Sequence, residues 1–236
     1  MRAIILAGGK GTRLKPFTTL IPKPLVPLGN EMPILEVVIR QLVAQGFTHI
    51  TIAVNHMANL IMAFFGTGSR WGVAIDYSVE DKPLGTIGPL TLIDDLPGTF
   101  LVMNGDILCD INYRDLLAYH VHNGNDITVA AYKRDTMIDF GVLRYDERNV
   151  ITDFIEKPAY AFDVSMGIYC ISRKVIAQLP ENEPYGFDNL MIDGIAKQQQ
   201  IVAWPFDGFW LDIGRPDDYD QANENYHEIK QRLGFV

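Results

Sequence analysis

Three cations stand close together near the N-terminus: Lys10 and Arg13 within Gly8-Gly9-Lys10-Gly11-Thr12-Arg13, and Lys23 within Pro22-Lys23-Pro24. Glycine has no Cβ, so a ligand can approach the backbone N–H groups of such a loop. Bare N–H groups beside fixed cations are the chemistry of polyphosphate binding. Two carboxylates complement them. Asp106 follows the apolar run Phe100-Leu101-Val102-Met103, and Asp212 follows Phe209-Trp210-Leu211. Mg²⁺ favours one or two carboxylates together with phosphate oxygens. Turn capping is the alternative for Asp106, with Asp110 as the competing carboxylate nearby. In Glu156-Lys157-Pro158 the proline predicts an extended backbone at Lys157, which would aim its charge at a phosphate. A solvated charge pair at a strand end explains the same residues.

Counting excludes two familiar glycine loops. A dinucleotide fingerprint starting at Gly9 needs glycine at position 14, where Leu14 stands. No segment offers the Gly-Lys-Ser/Thr of a P-loop. The segment is a different phosphate cradle, or a basic surface turn. Further on, Leu84-Gly85-Thr86-Ile87-Gly88-Pro89-Leu90 brings two glycines to a predicted helix start, with Thr86 as cap and Pro89 in the first turn. A flat base could lie on that backbone; a purely structural helix entry accounts for it equally. The five histidines form no metal pattern.

The elements that must position these residues alternate through the first half. Ile4–Ala7, Ile50–Val54, Val73–Val79 and Phe100–Met103 read as strands. Ile34–Gln45, Asn59–Phe65 and Thr86–Leu96 read as helices. Such alternation predicts a mostly parallel sheet covered on both faces, with ligands beyond the strands' carboxyl ends. The second half carries closely spaced strands, at Ile127–Tyr132, Val142–Tyr145, Ile151–Phe154 and Ser165–Ile171. They predict an antiparallel or mixed extension forming the other wall of a cleft. Tyr219, Ala222, Tyr226, Ile229 and Leu233 have helical spacing and predict one amphipathic helix, docked on the body or serving a homodimer.

Composition sets outer bounds. The chain has 236 residues, 48% of them apolar, enough for a sizeable core. It has no apolar run of membrane-spanning length and no signal-peptide pattern, so a cytoplasmic place is expected. Cys109 and Cys170 form no CxxC pair and read as buried free thiols. A formal net charge of −9 argues against a general nucleic-acid surface, while local cations can still hold a small anion.

Together the motifs resemble those of the sugar-1-phosphate nucleotidyltransferases, also called nucleotide-sugar pyrophosphorylases. The matches run in order: LAGGKGTRL at 6–14, PKPLVPLGN at 22–30, PLGTIGPL at 83–90, NGD at 104–106, FGV at 140–142, EKP at 156–158, SMGIY at 165–169 and GFWLDIGRPDDY at 208–219. The resemblance implies a three-layer, Rossmann-like α/β fold of nucleotide-diphospho-sugar transferase type. Its sheet would be mixed and mostly parallel, with a smaller β-rich sugar-binding part. It implies one catalytic domain over 1–236: a nucleotide part to about 110, a sugar-phosphate part to about 215, and a C-terminal helix. No C-terminal β-helix domain, and no acyltransferase activity, is expected.

The implied reaction joins a nucleoside triphosphate and a sugar 1-phosphate into a nucleotide-sugar plus pyrophosphate, with Mg²⁺ as cofactor. By position, Leu6, Ala7, Gly8, Gly9, Gly11, Thr12, Arg13, Lys23, Pro83, Gly85, Thr86 and Gly88 would bind the nucleotide, with Gly8, Gly9, Gly11 and Thr12 holding the triphosphate and Gly85 and Gly88 bordering the base. Arg13, Lys23 and Asp106 would be catalytic, and Asp106 with Asp212 would hold the metal. Asn104, Gly141, Glu156, Lys157, Ser165 and Gly167 would contact the sugar phosphate. Ser165 stands where the family commonly has Asn, so the resemblance does not carry the sugar's identity. The KPLGTIGPL and GFWLDIGRP segments resemble the mannose-1-phosphate guanylyltransferase branch most, which points to GTP with mannose or heptose 1-phosphate. Uridylyl-, thymidylyl- and cytidylyltransferases share the scaffold. A non-catalytic regulatory subunit is the alternative from another class. A glycosyltransferase should carry Asp-x-Asp near mid-chain, and Asp106 is followed by Ile107 and Leu108 instead.

Overall fold

The computed structural model describes residues 1–234. In chain order the elements are β1 (Arg2–Leu6), β2 (Pro27–Leu28), β3 (Met32–Pro33), α1 (Ile34–Ala44), β4 (His49–Val54), α2 (Ala58–Phe65), β5 (Ala74–Val79), β6 (Thr99–Asn104), β7 (Ile107–Cys109) and α3 (Tyr113–His122). They continue with β8 (Ile127–Met137), β9 (Val142–Tyr145), β10 (Ile151–Ile155), β11 (Ala159–Ser172), α4 (Arg173–Ile176), α5 (Phe187–Ala196), β12 (Ile201–Phe206), β13 (Trp210–Asp212), α6 (Pro216–Glu224) and α7 (Tyr226–Arg232).

The main sheet has seven strands in the order β12-β8-β11-β6-β1-β4-β5. All its pairings are parallel except the two made by β11, which runs against β6 and β8. This is the expected mixed, mostly parallel sheet. Side chains of its central strands alternate between two cores, as the period of two demands. Ile5, Leu101, Met103, Ile168 and Cys170 pack with the buried faces of α1 and α2. Ile4, Phe100, Val102, Tyr169 and Ile171 point to the opposite layer, with Leu90, Val175 and Leu190.

A third core holds the C-terminal helices against the body: Tyr219, Ala222, Tyr226 and Ile229 pack on Leu14, Val26, Leu28, Leu108 and Leu211. The Tyr219 hydroxyl donates to the carbonyl of Pro27 at 2.6 Å. The expected single helix is broken in two at Asn225. Asn223 and Asn225 turn their amides back onto the carbonyls of Tyr219 and Gln221, at 2.9 Å each, in competition with the helical ladder.

The expected helix over Thr86–Leu96 is only a 3-10 segment, Gly88–Leu92. Tertiary bonds override the helical pattern here. The N–H groups of Ile87 and Gly88 both donate to the Tyr185 carbonyl at 3.0 Å. Thr86 caps a different helix, its Oγ1 accepting the Phe187 N–H at the start of α5. The β12 strand holds Pro205 at the sheet edge, where a missing N–H is tolerated. Strands β8 and β11 run well past their expected limits and pair without interruption from Ser165↔Ala131 to Ala159↔Met137. The ribbon ends in the separate hairpin β9–β10.

Candidate active site

Strands β1 and β6 lie side by side in parallel, with Leu6 opposite Asn104. Their following loops therefore leave the sheet together, at the edge where ligands bind in such sheets. The Gly105 N–H donates to the Leu6 carbonyl at 3.0 Å, which ties the two exits to each other. Gly11 has φ +60°, a left-handed conformation suited to glycine, and its carbonyl accepts the Thr18 hydroxyl at 2.7 Å. The loop opens onto a cavity of about 520 Å³. Leu6, Ala7, Gly8, Gly9, Gly11, Thr12, Arg13, Lys23, Pro83, Gly85, Thr86, Asn104 and Asp106 all line it. Gly88 lies outside this lining. A Cβ there would come within 2.9 Å of the Glu183 carbonyl, so the glycine serves close backbone packing.

The two candidate metal carboxylates are brought together by a short ladder. Strands β7 and β13 pair antiparallel with Asp212 opposite Ile107, and the Ile213 N–H donates to the Asp106 carbonyl at 3.0 Å. Burial, and then the neighbouring Asp106 charge, push the Asp212 carboxyl up, against the pull of Lys23 and Arg13. The Lys23 ammonium pairs with Oδ2 of Asp106. Oδ1 of Asp106 is buried with no hydrogen-bond partner. A Cβ on Gly214 would stand 3.6 Å from Arg13 Nη1 and 3.7 Å from Asp212 Oδ2, so the guanidinium lies beside this carboxylate pair.

An orphaned carboxylate oxygen beside a second carboxylate fits a hard divalent cation that takes its other ligands from phosphate and water. No group of three or more His, Cys, Asp or Glu side chains forms a cage among the described residues. The competing Asp110 is structural: its Oδ1 accepts the Phe209 N–H at 2.7 Å and its Oδ2 pairs with Arg232 at 2.7 Å.

The expected sugar-side residues fall into two groups. Asn104, Ser165 and Gly167 belong to the first, around an irregularity in the β11 ladder between Ser165 and Tyr169. Gly167 has φ +74°, and a Cβ there would lie 2.6 Å from Asn104 Nδ2. Ser165 Oγ donates to the Tyr169 hydroxyl at 3.2 Å and accepts the Gly167 N–H at 3.3 Å. Gly141, Glu156 and Lys157 form the second group, at the ends of the β9–β10 hairpin. A Cβ on Gly141 would stand 3.3 Å from Glu156 Oε2. Lys157 is not extended as Pro158 suggested, but has φ +43°. Three residues must turn the chain from β10 into β11, and the left-handed conformation makes that bend.

Sequence reasoning missed two polar residues of the cavity wall, Asn55 and Glu80. Each directly follows a parallel strand, β4 or β5, and the strand-end argument that found Asp106 applies equally to them. Glu80 Oε2 accepts the Leu84 N–H at 2.8 Å, while Oε1 would lie 3.0 Å from a Cβ on Gly8. Burial pushes the Glu80 carboxyl up, and the Leu84 hydrogen bond partly opposes it.

The chain is similar in sequence and fold to known proteins. The chain is 35% identical over 230 residues to the mannose-1-phosphate guanyltransferase of Gibberella zeae, covering 93% of this chain and 62% of that protein. It is 36% identical over 225 residues to the mannose-1-phosphate guanylyltransferase catalytic subunit beta of Drosophila pseudoobscura pseudoobscura, covering 92% and 60%. The chain thus spans about three fifths of the length of these curated relatives. Its fold matches the crystal structure of HddC from Yersinia pseudotuberculosis complexed with GMP-PN, with a TM-score of 0.74 and 26% identity over 95% of this chain and 99% of that one. Residues 2–229 match the family described as nucleotidyl transferase, and the chain, with its glycine loop and neighbouring carboxylates at the sheet edge, belongs to that family.

Proposed function

We propose that this chain transfers a nucleotidyl group from a nucleoside triphosphate to a sugar 1-phosphate. The observation that carries this reading is the unpartnered, buried Oδ1 of Asp106, set beside Asp212 and Lys23 at the Gly8–Arg13 cradle. A phosphate oxygen of the sugar 1-phosphate attacks the α-phosphorus in line. The bond from that phosphorus to the bridging oxygen breaks, and pyrophosphate leaves with the electron pair. The attacking oxygen is already anionic, so neither a general base nor a covalent enzyme intermediate is needed.

Catalysis is then positioning and neutralisation of charge. Backbone N–H groups of Gly8, Gly9, Gly11 and Thr12 hold the triphosphate. Arg13 takes the charge developing on pyrophosphate, and Lys23 leaves Asp106 for the α-phosphate. Asp106 and Asp212 would hold Mg²⁺, whose charge offsets the repulsion between two anionic reactants. Asn104, Ser165 and Gly167 border the sugar, and Glu156 and Lys157 grip its hydroxyls and phosphate, with Gly141 leaving room for the ring. In this reading 1–236 is one catalytic domain working in the cytoplasm.

GTP is the favoured nucleotide. Guanine presents N1–H and N2–H₂ donors side by side, and Glu80 offers a cavity-facing acceptor oxygen to meet them. The names of the similar proteins support mannose 1-phosphate, and a heptose 1-phosphate is the close alternative. Uridylyl, thymidylyl or cytidylyl transfer remains the competing specificity on the same scaffold. A regulatory role is disfavoured because Arg13, Lys23, Asp106, Lys157 and Asp212 are all present. The test is pyrophosphate release from a matrix of nucleoside triphosphates and sugar 1-phosphates with Mg²⁺. Sugar-dependent release with one preferred pair supports the reading. A folded protein that binds nucleotide and releases nothing with any pair counts against it.

A further inference from the structure

Strand β11 bulges where it passes the site. From Ser165, opposite Ala131, to Tyr169, opposite Val129, it advances four positions while β8 advances two. A bulge interrupts the ladder and re-aims the backbone, and bulges gather beside active sites. Gly167 stands in the middle of this one. It is packed so closely that a Cβ would lie 2.6 Å from Asn104 Nδ2 and 2.7 Å from Ile107 Cδ1. Asn104 lines the cavity, so the bulge abuts the wall of the site. The Trp210 indole N–H donates to the neighbouring Met166 carbonyl at 3.2 Å.

Two hydroxyls join the ends of the bulge. Ser165 is an exposed residue, yet its side chain is turned along its own strand. Its Oγ bonds both the Tyr169 hydroxyl, at 3.2 Å, and the Gly167 N–H, at 3.3 Å. A serine hydroxyl is free to rotate unless a partner holds it. Here the partner is itself immobile. Tyr169 is buried, and its ring stacks on Phe187 with centroids 4.1 Å apart and planes at 23°. The Phe187 N–H is held in turn by Oγ1 of Thr86, another residue of the cavity wall, at 2.8 Å. Burial pushes the Tyr169 phenol up, against the pull of the Ser165 bond, so the hydroxyl stays protonated at neutral pH.

We infer that Ser165 and Tyr169 are positioning residues for the sugar 1-phosphate: the Tyr169 hydroxyl fixes the Ser165 rotamer, and Ser165 holds the Gly167 backbone against Asn104. The identity of the ligand rests on the nucleotidyl transfer proposed above. Ser165 then acts through the backbone it holds, not through a bond to the sugar. Without the latch, Gly167 loses its acceptor and the wall beside Asn104 loosens. In-line attack needs the sugar phosphate aligned with the α-phosphorus, and a misplacement of ~1 Å can cost about 100-fold in rate.

Turnover and calorimetric nucleotide titration of four variants test this: Tyr169→Phe, Ser165→Ala, the two combined, and Ser165→Thr. Tyr169→Phe keeps the ring on Phe187 and removes only the hydroxyl. It and Ser165→Ala should each lower kcat/KM for the sugar 1-phosphate by roughly 10-fold or more, with the nucleotide Kd unchanged. The combined variant should lose no more than Ser165→Ala alone, because both residues act through one chain of bonds. Ser165→Thr retains the hydroxyl and should keep most of the activity. Full activity of Tyr169→Phe beside a loss in Ser165→Ala would put the serine on the sugar itself and overturn the inference. Equal losses in nucleotide and sugar binding would mean a merely structural role and overturn it too. A second arm needs no substrate: exchange of the Gly167 amide, followed by NMR, should quicken in Tyr169→Phe, although that variant leaves the amide's own acceptor in place. An unchanged exchange rate overturns the latch. Quickened exchange, beside a wild type that turns over no sugar phosphate, upholds the latch and overturns the reaction it serves.

Discussion

The Lys23 ammonium holds Oδ2 of Asp106, leaving the buried Oδ1 of the same carboxylate unpaired. The two residues are 83 positions apart in sequence and meet because the loops after β1 and β6 leave neighbouring parallel strands. The pair places one positive charge on one oxygen and leaves the other oxygen for a cation. In the proposed reaction Lys23 moves from Asp106 to the α-phosphate, and Asp106 with Asp212 would hold Mg²⁺, which would supply positive charge between the two anionic reactants.

Asp106→Asn should keep the fold and lose Mg²⁺-dependent turnover. The expected fall in kcat is at least ~100-fold, the scale for losing one electrostatic group acting on developing charge. Steady-state pyrophosphate release with a melting curve checks both halves. Near-normal turnover would contradict the metal assignment.

Arg13→Ala separates ground-state from transition-state binding. If the guanidinium takes the charge developing on pyrophosphate, kcat falls and the nucleotide Kd barely moves. Calorimetric titration of the nucleotide alongside turnover distinguishes this from simple phosphate binding, which would raise KM at constant kcat.

Glu80→Gln tests base recognition. The amide keeps an acceptor for the Leu84 N–H but changes the donor and acceptor pattern facing the base. The kcat/KM for GTP should fall by roughly 10- to 100-fold, the scale of one mismatched buried hydrogen bond, with a smaller change for other triphosphates. Equal losses with every triphosphate would mean that Glu80 only shapes the loop.

His120 should make stability pH-dependent away from the site. It is buried, with Nδ1 2.9 Å from Thr128 Oγ1 and Nε2 3.1 Å from Ser172 Oγ. Burial holds its pKa below the ordinary value; Asp126 opposes this and Lys174 adds to it. Because the unfolded chain takes up the proton first, this stability is fully present above about 6.5 and is lost as pH falls through the lowered folded value. The Tm of the wild type should drop between neutral and mildly acid pH, and His120→Gln should flatten that part of the curve. An unchanged slope would assign the acid sensitivity elsewhere.

Much of the sheet and the cavity was legible because strand ends and glycine loops carry their signal locally. Gly8–Arg13 follows one buried strand and Asp106 another, and parallel pairing brings such ends together. The Thr86–Leu96 segment misled because its backbone bonds go to Tyr185, about a hundred residues away, rather than along a helix. The kink at Asn225 escaped because the apolar stripe continues through it while the asparagine side chains compete for the helix carbonyls. The reach of β8 and β11 was hidden because their outer halves are exposed and polar residues interrupt the apolar pattern. Asn55 and Glu80 were legible by position, yet their residue types alone carry no distinctive motif.

The most direct test of the central claim is the fate of label from sugar 1-phosphate carrying radioactive phosphorus, incubated with GTP, Mg²⁺ and the protein. Attack by the sugar phosphate on the α-phosphorus should move the label into a nucleotide-sugar, with one pyrophosphate released per labelled product. Asp106→Asn should abolish the transfer. Label that stays in the sugar phosphate, or appears as free phosphate while GTP is consumed, would contradict nucleotidyl transfer.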